Sequence, residues 1–161
     1  MIQLTQKEKT LLEDQKKHEQ ICIEKYTNYA NQTQDPQLKQ LFQAYAAQEQ
    51  HHYDTINQIL NGQVPNLNQG QQQSMAQQQN LASAAQSATN MQGAMANQSD
   101  ASLLNDMLMT EKYVSSANDT AIFEFTDSNI RQVLNHIQKE EQQHGEGLFN
   151  YMQSHGMYNP Q

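Results

Sequence analysis

Two Glu-x-x-His elements are the residues of this chain best suited to chemistry: Glu49 with His52, and Glu141 with His144. Positions i and i+3 share one face of a helix, so each element can offer a carboxylate and an imidazole to the same ion. The spacing therefore predicts two metal-binding pairs on two helices.

A duplication repeats this pattern at an offset of 92 residues. Each element has a further glutamate 30 residues upstream, Glu19 and Glu111, and the segment 38–42 matches the segment 130–134. Four carboxylates and two imidazoles are the ligand set with which four-helix bundles hold a pair of iron or manganese ions. The chain is therefore predicted to be a duplicated helical hairpin that carries a two-metal site.

The predicted ligands have distinct roles. Glu49 and Glu141 would bridge the ions, the two upstream glutamates would each bind one ion, and each histidine would bind one. A carboxylate-rich site with one imidazole per ion suits two Fe or two Mn ions, without deciding between them. Open coordination positions would admit O₂ or peroxide. The alternative is a bundle whose buried Glu and His side chains pair with one another and with water, and bind no metal.

Several neighbouring residues are also of interest. Tyr26 and Tyr45 lie on the same helix faces as the ligands; ordinary core tyrosines are favoured over hydrogen-bonding or electron-donating neighbours. Cys22, the single cysteine, is favoured as a core thiol rather than a ligand. Glu140 is either a surface residue or a hydrogen-bond partner of the site. The remaining histidines are predicted to face solvent: His18, His51, His136 and His155.

Four helices must position the ligands, which predicts an all-α bundle of two hairpins, residues 5–60 and 101–155. A capping box, Thr5-x-x-Glu8, begins the first helix near residue 5, and it should run to about residue 31. Asp35 and Asp127 cap the second and fourth helices, and the third begins near residue 100. The second helix shows the alternating four- and three-residue steps of a bundle seam. Its inward residues are Leu38, Phe42, Tyr45, Glu49, His52, Ile56 and Ile59.

Residues 61–100 differ in kind, because they contain no Lys, Arg or Glu and are rich in Gln, Asn, Ser and Ala. This composition predicts a partly disordered crossover between the hairpins. Two alternatives are a weak helix over residues 81–95 and a Gln-rich segment available for self-association.

Composition limits the function further. A length of 161 residues is most simply one domain, and the net charge of −8 argues against nucleic acid or an anionic membrane as partner. The start of the chain lacks an apolar signal region, and no apolar run approaches membrane-spanning length. We therefore expect synthesis in the cytoplasm without classical export.

The six predicted ligands resemble those of the ferritin-like superfamily, specifically the bacterioferritin, rubrerythrin and manganese catalase branch. The resemblance implies an up-down-down-up bundle with a long crossover, which residues 61–100 would supply. Two departures are a Glu-to-Glu spacing a few residues tighter than in bacterioferritin-like hairpins and an unusually polar crossover.

The chain also resembles the Coat F family, ferritin-like proteins associated with the spore coat of endospore-forming bacteria. The resemblance is carried by LLNDML at 103–108 with EKY at 111–113, EEQQH at 140–144 and GMYNP at 156–160. It implies a spore-coat location, with other coat proteins or further copies of the chain as partners.

Three functions follow from these patterns. The favoured one is a coat component with a two-metal centre that acts on peroxide or O₂, although turnover itself stays open. The second is a purely structural coat protein that retains an unused polar cluster; an intact ligand set in both halves argues against it. An iron-storage ferritin ranks last, because the long crossover would lie across a helix face that cage assembly requires.

Overall fold

The computed structural model describes residues 2–66 and 98–158. Most of the predicted crossover, including the weak helix over 81–95, lies outside the described residues. The described residues form four helices and no strand: α1 Gln6–Gln32, α2 Pro36–Leu60, α3 Gln98–Ile122 and α4 Ser128–Ser154. All four predicted helices are confirmed, and their starts fall within two residues of the predicted positions. None of these helices combines the length and the apolar character needed to span a membrane.

Hydrogen bonds at the helix starts confirm the predicted caps. At α1, the Glu8 backbone N–H donates to the Thr5 hydroxyl at 3.2 Å, and the Thr5 N–H donates to the Glu8 carboxylate at 2.7 Å. Asp35 and Asp127 each accept the backbone N–H groups two and three residues further on, at 2.7 to 3.3 Å. Each cap satisfies backbone donors that a helix start otherwise leaves without partners.

Contacts at the helix ends define the direction of each helix. Lys7, at the start of α1, lies 2.7 Å from Glu124, just after α3, so these two helices are antiparallel. Tyr151, near the end of α4, donates to Asp35 before α2 at 2.7 Å, so these two are antiparallel as well. The order along the chain is up-down-down-up, and the end of α2 lies at the opposite end of the bundle from the start of α3.

The core consists of two apolar clusters with a polar layer between them. One cluster lies towards the α1–α2 turn and includes Tyr26, Phe42, Leu104 and Leu148. Cys22 is fully buried there, as predicted for a core thiol. The other cluster lies towards the α3–α4 turn and includes Leu12, Ile56, Phe125, Ile130 and Leu134. Burying each such side chain contributes about 1.5–3 kcal/mol, which holds the four helices around the polar layer.

Candidate metal centre

The polar layer contains all six predicted ligands, each at most 2% exposed. Their ligand atoms form two groups, and within each group all the atoms lie within 4.8 Å of one another. Glu49 and Glu141 belong to both groups. We call these two the shared glutamates, and Glu19 and Glu111 the unshared glutamates. The His52 position comprises Glu19, His52 and the shared glutamates; the His144 position comprises Glu111, His144 and the shared glutamates. This grouping is the one expected of two bridging and two terminal carboxylates.

Both imidazoles turn the same ring nitrogen towards the shared glutamates. His52 Nδ1 lies 3.3 Å from Glu49 Oε2 and 3.1 Å from Glu141 Oε1. His144 Nδ1 lies 3.0 Å from Glu49 Oε1 and 3.4 Å from Glu141 Oε2. The rings are stacked with their centroids 5.8 Å apart. Nδ1 is therefore the nitrogen that each histidine presents to the centre.

The other ring nitrogen of each histidine has its own acceptor. His52 Nε2 donates to Glu140 Oε2 at 2.8 Å, and His144 Nε2 donates to Gln48 Oε1 at 2.8 Å. Such a bond fixes the ring and leaves Nδ1 free to bind an ion. Glu140 is therefore a partner of the site rather than a surface residue. Gln48 was not predicted, but it precedes the Glu-x-x-His element of its half, as Glu140 does in the other.

Both tyrosines are core residues, as favoured, and both also contact a predicted ligand. The Tyr26 hydroxyl donates to Glu111 Oε1, and the Tyr45 ring lies 4.4 Å from the His144 ring, centroid to centroid. Burial raises the pKa of Tyr26 well above its usual value and that of Tyr45 to about 12, so both phenols are neutral. The sequence holds a signal for these two contacts, because each tyrosine lies one or two turns from a ligand on its own helix.

The charges of the centre depend on burial and on the two imidazoles. Burial raises the pKa of both unshared glutamates well above the usual value. Burial acts in the same direction on the shared glutamates, but the imidazoles outweigh it and hold the pKa values of both below the usual value. Burial would lower the histidine pKa values, yet the surrounding carboxylates raise both well above the usual value. The unshared glutamates and the histidines therefore bind protons more readily than usual, and the shared glutamates lose them more readily.

Several buried carboxylate oxygens of the centre have no hydrogen-bond partner among the described residues. They are both oxygens of Glu19, Oε2 of Glu111 and Oε2 of Glu141. A buried polar oxygen left without a hydrogen-bond partner costs about 1–3 kcal/mol. Two divalent ions would balance four carboxylate charges and occupy these lone pairs. The residues present thus fit a two-ion centre. A cluster that only paired with itself would use all of its hydrogen-bonding atoms, and this one leaves four carboxylate oxygens without partners within residues 2–66 and 98–158.

Two cavities border the centre. A groove of about 480 Å³ between α3 and α4 is lined by Glu111, Lys112 and Glu141, among others. A smaller cavity of about 80 Å³ between α2 and α4 is lined by His52 and Glu140. The larger cavity therefore borders one shared and one unshared glutamate.

His51 is exposed, as predicted, whereas His18, His136 and His155 lie at the surface but are only partly exposed. Tyr113 packs edge-on against His18 with centroids 5.3 Å apart, and Tyr151 stacks on His155 at 4.0 Å. His136 Nε2 lies 3.5 Å from Glu140. These positions flank the helix seams, where neighbouring aromatic rings and carboxylates cover part of each imidazole.

Comparison with known families gives one match. The family model of the Coat F domain matches residues 99–161, which include nearly all of α3, the following turn and α4. This segment carries three predicted ligands, Glu111, Glu141 and His144. No curated protein and no solved structure is significantly similar to the chain. The resemblance to Coat F proteins is therefore supported for the second hairpin.

Proposed function

We propose that this protein is a spore-coat component whose helical bundle holds two iron or two manganese ions that react with peroxide or O₂. The observation that supports the centre is the convergence of six buried ligands in two groups that share Glu49 and Glu141, with carboxylate oxygens left unpartnered. The coat location rests on the Coat F match over residues 99–161.

Each residue of the centre has a part in holding the ions. The shared glutamates would bridge them, and each unshared glutamate and each histidine would bind one. Glu140 and Gln48 orient the imidazoles, and the Tyr26 hydroxyl donates to Glu111 Oε1 and so helps to fix that carboxylate. When bound, two adjacent redox-active ions supply the electrons for the reduction of peroxide or O₂. Ion binding would displace protons from the unshared glutamates and from the Nδ1 atoms of the histidines.

The surroundings of the centre support the same proposal. The apolar clusters at both ends of the polar layer exclude water along the bundle axis. The α3–α4 groove borders Glu111 and Glu141 from the side, and it is the proposed route for a small oxidant. The proposed macromolecular partners are other coat proteins or further copies of the chain. The net charge of −8 disfavours nucleic acid and anionic membranes as partners.

Elemental analysis of protein purified without chelators tests the centre. About two Fe or Mn ions per chain are expected, and they should be lost in a Glu49→Ala/Glu141→Ala variant. The matched control is Glu13→Ala/Glu24→Ala, which removes two exposed glutamates of α1 and should keep both ions. The loaded protein is then assayed for consumption of peroxide and of O₂.

The possible outcomes separate the parts of the proposal. Loaded protein that consumes neither oxidant would refute the reaction and leave metal binding intact. Wild-type protein that is purified empty and takes up no added Fe(II) or Mn(II) would refute the centre. The protein would then be a structural coat component whose buried polar side chains pair with one another and bind no metal.

A further inference from the structure

The two halves of the chain give different hydrogen-bond partners to two positions with matching ligands. The offset of 92 residues that superposes the ligands also superposes Gln48 on Glu140 and Tyr26 on Asn118. The residues that face the centre are thus the same in both halves, while the residues that support them differ in charge and in hydrogen-bonding capacity.

The first difference concerns the histidines. His52 donates to a carboxylate, Glu140, whereas His144 donates at the same 2.8 Å to the neutral amide of Gln48. A carboxylate draws the Nε2 proton towards itself and makes the imidazole more basic, so Nδ1 becomes the stronger ligand. Glu140 is only 6% exposed, and water therefore screens its charge weakly.

The second difference concerns the unshared glutamates. Glu111 Oε1 accepts a hydrogen bond from Tyr26, which draws electron density away from that carboxylate. Neither oxygen of Glu19 has a hydrogen-bond partner among the described residues, although His52 Nδ1 lies 3.6 Å from one of them. Asn118, which corresponds to Tyr26, is fully buried, and no hydrogen bond to its side-chain amide is found in the described part of the chain. Glu19 therefore keeps its full capacity to bind an ion.

We infer that the His52 position binds the more tightly held of the two ions, and that Glu140 and Gln48 are the positioning residues that set the difference. Both differences act in the same direction, because each leaves more negative charge and stronger donors at the His52 position. This inference rests on the proposed two-ion centre. It predicts that the positions fill in order, with affinities about 10–100-fold apart, the usual effect of such outer hydrogen-bond partners.

Calorimetric titration of the metal-free, full-length protein with Mn(II) under nitrogen tests the order. Wild-type protein should bind two ions in two resolved steps. His144→Ala should keep one ion with an affinity near that of the tighter step, and His52→Ala should keep one ion with an affinity near that of the weaker step. The reverse assignment, or two equal steps in the wild type, would overturn the inference.

A reciprocal exchange tests the two positioning residues. Glu140→Gln should weaken the tighter step by about 10–100-fold and merge the two steps, whereas Gln48→Glu should strengthen the weaker step. Each exchange nearly conserves side-chain volume, and urea unfolding of the metal-free variants checks that they fold. If Glu140→Gln weakens the weaker step instead, the inference is wrong. Wild-type protein that binds no Mn(II) at all would refute the two-ion centre itself, and that result is distinct from a wrong order.

Discussion

Two glycines of α4 should respond in opposite directions to alanine. A Cβ on Gly147 would overlap the Tyr45 hydroxyl oxygen and lie 3.0 Å from its Cζ, whereas a Cβ on Gly145 would meet only Leu108 Cδ1 at an ordinary 3.8 Å. Tyr45 has little freedom to move, because it is buried and its ring packs against that of His144. Gly147→Ala should therefore strain the His144 position, and Gly145→Ala should not.

The magnitudes follow from helix propensity and packing. Each substitution removes a glycine from a helix interior, which gains about 0.8–1 kcal/mol. Overpacking a filled site costs about 1–3 kcal/mol, and only Gly147→Ala incurs that cost. The propensity gain cancels in the comparison, so Gly147→Ala should be less stable than Gly145→Ala by about 1–3 kcal/mol. For a chain of this size, each kcal/mol shifts the melting temperature by roughly 2–4 °C.

Urea unfolding of the metal-free variants, followed by far-UV circular dichroism, measures this difference. Adding Tyr45→Phe to Gly147→Ala should recover part of the loss, because it removes the overlapping oxygen while the Cζ contact stays. In Mn(II) titrations, Gly147→Ala should weaken the step that belongs to the His144 position. Equal stability of the two alanine variants, within about 0.3 kcal/mol, would refute the view that Tyr45 is fixed over His144.

Three further predictions concern protonation and hydrogen bonds. The metal-free protein should lose thermal stability as pH rises above about 6.5. Folding raises the pKa of both histidines and both unshared glutamates, so the folded protein holds protons that the unfolded chain has already released. Two equivalents of Mn(II) should abolish this decline, and a metal-free melting temperature that is flat or rises from pH 6.5 to 9 would contradict it. Tyr26→Phe should cost about 1–2 kcal/mol in urea unfolding by removing the buried bond to Glu111, and an unchanged stability would show that this bond contributes nothing. Asp35→Ala should lower the free energy of unfolding by about 0.5–1.5 kcal/mol more than Asp127→Ala does. Both residues cap a helix, but Asp35 also accepts a hydrogen bond from Tyr151. Equal losses in urea unfolding would show that only the caps contribute.

The sequence by itself determined the helices and the identity of the clustered residues. The capping box at Thr5 and the caps at Asp35 and Asp127 are bonds between residues at most three positions apart. The seam periodicity of each helix is likewise local, because a helix repeats every 3.6 residues whatever it packs against. Local spacing therefore identified the inward-facing carboxylates and imidazoles, and the repeat gave each hairpin the same set of them.

Only the tertiary structure decided what surrounds those ligands. The bonds from His52 to Glu140 and from His144 to Gln48 join residues 88 and 96 positions apart, and the bond from Tyr26 to Glu111 spans 85. Contacts between helices depend on how each helix is rotated and at what height it packs, and helical periodicity alone does not fix these quantities. The same limit applies to the partly covered surface histidines. The sequence thus predicted a symmetric centre, and the packing of the helices made its two positions unequal.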